Sequence, residues 1–107
     1  MKTIVVLTTI DNLEDARAIA SALVERKLAA CVQVSEIESV YTWQGAVQND
    51  TEYRVMAKTT ADRYPDVEAA ILDLHSYDLP AIYALDVAEA YAPYAEWVAN
   101  NSNKSVT

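Results

Sequence analysis

Soft-metal or nucleophilic chemistry in this chain can draw on one imidazole and one thiol, His75 and Cys31. Imidazole suits borderline ions such as Cu(II) and Zn(II), and thiolate suits softer ones. A copper or zinc site takes about four ligands. One chain must therefore add carboxylates such as Asp78, or share equivalent residues among several copies. Carboxylate-rich sites bind weakly and select poorly, so the expected chemistry is modest-affinity binding of copper or another divalent metal. Both residues also have ordinary structural uses. Cys31 sits in LAACVQV, residues 28–34, among Ala29, Ala30 and Val32 with no adjacent cation to activate a thiol. That is the setting of a small buried side chain. His75 follows a helical pattern, where a histidine can bond the last carbonyls and complement the helix dipole.

A second set of residues could line a ligand cleft: Trp43, Glu52, Lys58, Tyr77 and Trp97. Lys58 falls in a strand expected to be half buried, and a buried ammonium needs a partner. Glu52, or a carboxylate across an interface, would serve. Two uses stay open: an anion-binding cleft between subunits walled by Trp43 and Tyr77, or an inter-subunit ion pair. The aromatic rings otherwise suit core or interface packing. An enzyme is not expected. Glu14, Asp15, Glu25, Asp66, Glu68 and Asp73 fall on outer helix faces, and no spacing supports an acid–base pair or a triad. Gly45 is the only glycine, which excludes a P-loop, a dinucleotide fingerprint and a nucleophile elbow.

The net charge of −8 repels phosphate backbones and anionic lipid and attracts cations. Nucleic acid and membrane are accordingly not expected as partners. A single cysteine forms no internal disulfide. Met1-Lys2-Thr3 runs straight into Ile4-Val5-Val6-Leu7, too short for a signal core or a membrane span, and a cytoplasmic location is expected.

The 107 residues suit one domain. Thr3–Thr9 reads as a strand, nearly continuous in apolar residues and so buried on both faces. Asp11 and Glu14 resemble a capping box opening a helix that runs to about Lys27. LAACVQV reads as a second strand, and 39–60 as a hairpin with a turn region over 44–50 around Gly45. Tyr64, Val67, Ile71 and Leu74 mark a second helix, with Pro65 in its first turn. Residues 81–87 read as a fourth strand and 91–99 as a short last helix. About 100–107 is expected to be a flexible tail. The order is that of an α+β, ferredoxin-like βαββαβ sandwich with an extra C-terminal helix. Its two main helices cover one sheet face. The strands are apolar on the other face too, which predicts burial against further copies of the chain.

Several stretches together resemble the CutA divalent-cation tolerance family: LAACVQV, Ser39-Val40-Tyr41-Thr42-Trp43-Gln44-Gly45, Lys58-Thr59-Thr60, His75-Ser76-Tyr77-Asp78-Leu79-Pro80 and Tyr94-Ala95-Glu96-Trp97. They lie in collinear order from Thr8 to Trp97. The resemblance implies a ferredoxin-like subunit, a tight homotrimer with hairpins reaching across subunits, and a link to tolerance of copper and other divalent metals. The chain departs from the pattern at Gln33, where asparagine is common, at Ser76, where proline usually follows the histidine, and near Ala90, where a glycine is usual. It has Thr8 and Leu74 where some relatives carry a thiol and a second histidine treated as metal ligands, which argues against a tight soft-metal site. Two alternatives share the architecture: a trimeric small-ligand sensor of the PII type with clefts between subunits, and a rigid trimeric scaffold without ligand.

Overall fold

A computed structural model describes residues 1–103. The elements are β1 (Thr3–Ile10), α1 (Leu13–Glu25), β2 (Cys31–Trp43), β3 (Ala46–Thr60), a short 3-10 turn (Ala61–Arg63), α2 (Tyr64–Leu74), β4 (Ile82–Asp86) and α3 (Ala92–Asn101). The four strands form one antiparallel sheet in the order β2-β3-β1-β4, the expected ferredoxin-like arrangement.

Helix α1 starts one residue later than the capping-box reading. Asn12, not Asp11, is the N-cap, and its side chain accepts from the Asp15 N–H at 3.0 Å. Its far end closes with Lys27 at φ 58. The Leu28 N–H reaches back to the Leu23 carbonyl and the Lys27 N–H to that of Val24, which satisfies two end carbonyls. Leu23 and Leu28 both lie in the core. Arg63, the buried last residue of the 3-10 turn, pairs with Asp66 and donates to the Lys27 carbonyl, tying this end of α1 to the start of α2.

Strand alternation sorts the sheet into two faces. Ile4, Val6 and Ile10 of β1, Val55 and Ala57 of β3, and Val32 and Val34 of β2 meet Ala16, Ile19 and Leu23 of α1 and Val67, Ala70 and Ile71 of α2. The opposite face carries Val5 and Leu7 of β1, Met56 and Lys58 of β3, Cys31 and Gln33 of β2, and Tyr83 and Leu85 of β4. Sequence patterning assigns this whole face to other copies of the chain. The structure corrects that in part. Helices α1 and α2 occupy the first face, while α3 packs against the two central strands, β1 and β3, and so covers the middle of the second. Leu7 is only 4% exposed there and Val98 is fully buried. The β4 edge stays open, with Tyr83 49% and Leu85 54% exposed.

The hairpin is longer than the sequence suggests. Strands β2 and β3 pair without a break from Cys31↔Lys58 to Trp43↔Ala46. Residues 46–50, read as turn, are strand. The reversal needs only Gln44 and Gly45, at φ 51 and φ 80, the positive angles of a two-residue hairpin turn. The last helix also runs further than read, to Asn101, and Ser102 is buried with its hydroxyl donating to the Val98 carbonyl. Residues 104–107 of the expected tail lie outside the described residues. No helix among the described residues is long and apolar enough to cross a membrane.

Candidate functional site

Strand β1 pairs with β3 only from Thr3↔Thr60 to Ile10↔Tyr53. Beyond Ile10 the hairpin continues alone, so β3 has an unpaired edge from Ala46 to Glu52. Asp11, after β1, and the 77–81 segment, before β4, wall the space beside it. The result is a groove of about 920 Å³. Asp11, Glu38, Asp50, Glu52 and Asp78 line it together with Tyr41, Trp43 and Tyr77, and no basic side chain does.

Two of the carboxylates are held by phenols. The Tyr41 hydroxyl donates to Asp50 Oδ2 and the Tyr77 hydroxyl to Glu52 Oε2, both at 2.6 Å. Tyr77 is set in turn by His75, whose Nδ1 accepts from the Tyr77 N–H at 3.1 Å. The other ring nitrogen, Nε2, lies 2.8 Å from the Thr9 carbonyl. A carbonyl only accepts, so Nε2 carries the proton and donates. The two rings meet edge to face with centroids 4.7 Å apart.

Burial, then the hydrogen bond to Glu52 and the charges of Glu52 and Asp11, raise the Tyr77 phenol well above the ordinary tyrosine range. The hydrogen bond to Asp50 leads in raising Tyr41, to about 12. Both remain donors at any ordinary pH. A phenol raised in the fold stabilises it fully below the unfolded value of about 10, and this contribution is lost as pH rises from there through the folded value. An alkaline titration followed by tyrosinate absorbance should show Tyr41 and Tyr77 among the last of the seven tyrosines to ionise. Tyr41→Phe and Tyr77→Phe should each remove one late-titrating group. A single transition near pH 10 for all seven would contradict the geometry.

Within one chain the expected metal residues are not brought together. His75 closes α2 as its C-cap, and both its ring nitrogens are engaged. Asp78 lines the groove. Cys31 opens β2 in register with Lys58 and, through it, Val5, about four strand residues or ~13 Å along the sheet from Thr9. Cys31 is partly buried in the single chain. Among the described residues no three His, Cys, Asp or Glu side chains are arranged to hold a metal ion. The expected cleft residues also divide. Trp43, Glu52 and Tyr77 share the groove. Lys58 does not reach it, lying six residues along β3 from Glu52 and donating to Gln33 Oε1 at 2.8 Å. Trp97 stacks on Tyr94 of α3, with centroids 5.8 Å apart. Without Lys58, the groove within one chain suits cations rather than anions. Sequence reading left out Asp11, Glu38 and Asp50. Asp50 and Glu52 share a strand face by their spacing, a signal lost when residues 44–50 are taken as turn.

Fold and groove together define a ferredoxin-like α+β protein with an acidic, aromatic cleft at the base of a long hairpin. Residues 4–101 match the family described as CutA1 divalent ion tolerance protein. The chain is 43% identical over 99 residues to the divalent-cation tolerance protein CutA of Thermus thermophilus, covering 92% of this chain and 96% of that one. It is similar to the crystal structure of CutA1 from Oryza sativa, with a TM-score of 0.93 at 35% identity over 98% of this chain and 97% of the other. It is also similar to the periplasmic divalent cation tolerance protein CutA of Archaeoglobus fulgidus, with a TM-score of 0.91 at 30% identity over 94% and 99% of the two chains. The chain belongs to the CutA1 family.

Proposed function

We propose that this chain is a homotrimeric divalent-cation tolerance protein of the cytoplasm, without enzymatic activity, that binds copper or another divalent metal weakly. The groove carries this reading: five carboxylates line it and no base does. Carboxylates that do not converge hold an ion through one or two oxygens and water, which gives low affinity and little selectivity. An acidic groove does not favour nucleotides or 2-oxo acids, so the sensor alternative loses its usual anionic ligands. Assembly is supported by the exposed Tyr83 and Leu85 on the open part of the sheet and by Tyr91 and Trp97 near α3.

Calorimetric titration of the protein with Cu(II) tests the metal reading. The expected result is micromolar or weaker binding that His75→Ala changes by less than about threefold, because both imidazole nitrogens already serve hydrogen bonds. Neutralising Glu52 and Asp50 together as amides should weaken it. Nanomolar affinity lost in His75→Ala would replace the groove with a histidine-centred site, and the absence of saturable binding would leave the scaffold reading.

A further inference from the structure

We infer that His75 is a proton-operated latch: neutral, it holds the 77–81 wall of the groove against β1, and charged, it lets that wall go. Residues 75–81 form no helix or strand, and a relay of three hydrogen bonds fixes them. Strand β4 stops pairing with β1 at Thr8↔Ile82. One residue on, the Thr9 carbonyl receives the His75 Nε2–H at 2.8 Å instead. His75 Nδ1 accepts from the Tyr77 N–H at 3.1 Å. The Tyr77 hydroxyl then donates to Glu52 Oε2 on β3 at 2.6 Å. The relay runs from β1 through the imidazole to β3, and it works with one neutral tautomer only.

A proton on Nδ1 breaks the relay at its centre. An imidazolium has two donors and no acceptor. Nε2–H keeps Thr9, but Nδ1–H meets the Tyr77 N–H donor against donor. Tyr77 loses the acceptor for its amide, and with it the anchor that aims its hydroxyl at Glu52. Histidine changes charge between about pH 5 and 8. The latched form carries one proton fewer than the open one, so its advantage fades as pH falls. The surrounding groups do not replace the lost bond. Glu52, from β3, is bonded to the Tyr77 hydroxyl, the Asp11 charge after β1 acts on the same phenol, and Asp78 lines the groove from the wall itself. From α2 the Ile71 carbonyl takes the backbone N–H of His75. A carboxylate that moved to the charged ring would take the place of Tyr77. What the latch controls rests on the groove being the functional site; whether it works does not, and its test uses no metal.

NMR on the full chain, nitrogen-labelled, tests the latch from about pH 8 to 5. At the upper end the imidazole should show Nε2 protonated and Nδ1 bare. Through the transition the Tyr77 amide signal should move with the ring signal and share its midpoint. Protection of that amide against exchange, corrected for the intrinsic effect of pH, should fall by about fivefold or more, the range of one hydrogen bond. Buried amides of α1 should keep theirs, which separates unlatching from unfolding. His75→Gln, whose side-chain amide can donate to Thr9 but takes up no proton, should abolish the Tyr77 response. A ring protonated on Nδ1 at the upper end, a ring that takes up no proton across the range, a ring that titrates while Tyr77 stays protected, or a Tyr77 response that persists in His75→Gln overturns the latch. The first three are read on the parent protein and decide the matter even where the variant folds poorly.

Discussion

Leu23→Ala should lower the stability of the fold by about 2–5 kcal/mol. Leu23 is completely buried on α1, within the core that joins both main helices to the sheet. Its truncation removes apolar contact and leaves a cavity, because the neighbouring strand residues Val55 and Ala57 are fixed by the ladders on either side. Against a total of about 5–15 kcal/mol for a typical domain, that is a large fraction. The melting temperature should fall by on the order of 10–20 °C. The comparison must be made at one protein concentration, since assembly adds its own stabilisation by mass action. A drop of only a degree or two would mean that α1 is not held as the buried contacts describe.

Leu85→Asp should do the opposite: leave the subunit folded and take the assembly apart. Leu85 lies in β4 opposite Val5 on the open part of the sheet and is 54% exposed in the single chain. A carboxylate there costs the isolated subunit little. If the same surface is buried between copies, each copy must bury an unpaired charge, several kcal/mol apiece. Light scattering at micromolar concentration should report three chain masses for the parent protein and about 11.8 kDa for the variant. A variant that keeps the parent's size places this strand outside the interface. A parent of one chain mass removes the trimer altogether.

Much of the fold follows from elements that organise themselves locally. Strand β1 is an apolar run, and α1 and α2 show three- and four-residue spacing, so tertiary contacts only confirm what periodicity says. The hairpin is different. Gln33, Ser35, Glu36 and Glu38 interrupt any apolar pattern, and residues 46–50 look like a loop. They are strands because each residue has a partner across the ladder, and pairing is not a property of either segment alone. The single glycine still marks the reversal at residue 45. The covering of the second sheet face by α3 was also hidden, since periodicity gives a helix an apolar side without saying which surface it meets. Within one chain Trp43, Glu52 and Tyr77 line one groove, while Lys58 bonds Gln33 further along β3. Position along β3, set by register, decides which end of the strand a side chain serves. The engagement of His75 Nε2 depends on a carbonyl 66 positions away, which no local pattern reveals.

The sheet order has a consequence for the chain as it is made. Of these four strands β1 is translated before the others, yet it sits between β3 and β4 in the finished sheet. Its apolar run, Thr3–Ile10, therefore waits without either neighbour until β3 is translated. A stretch of this kind is prone to self-association when unpaired. Early engagement by a holding chaperone, or provisional shelter under α1, which is synthesised next, would keep nascent chains from aggregating before β3 arrives.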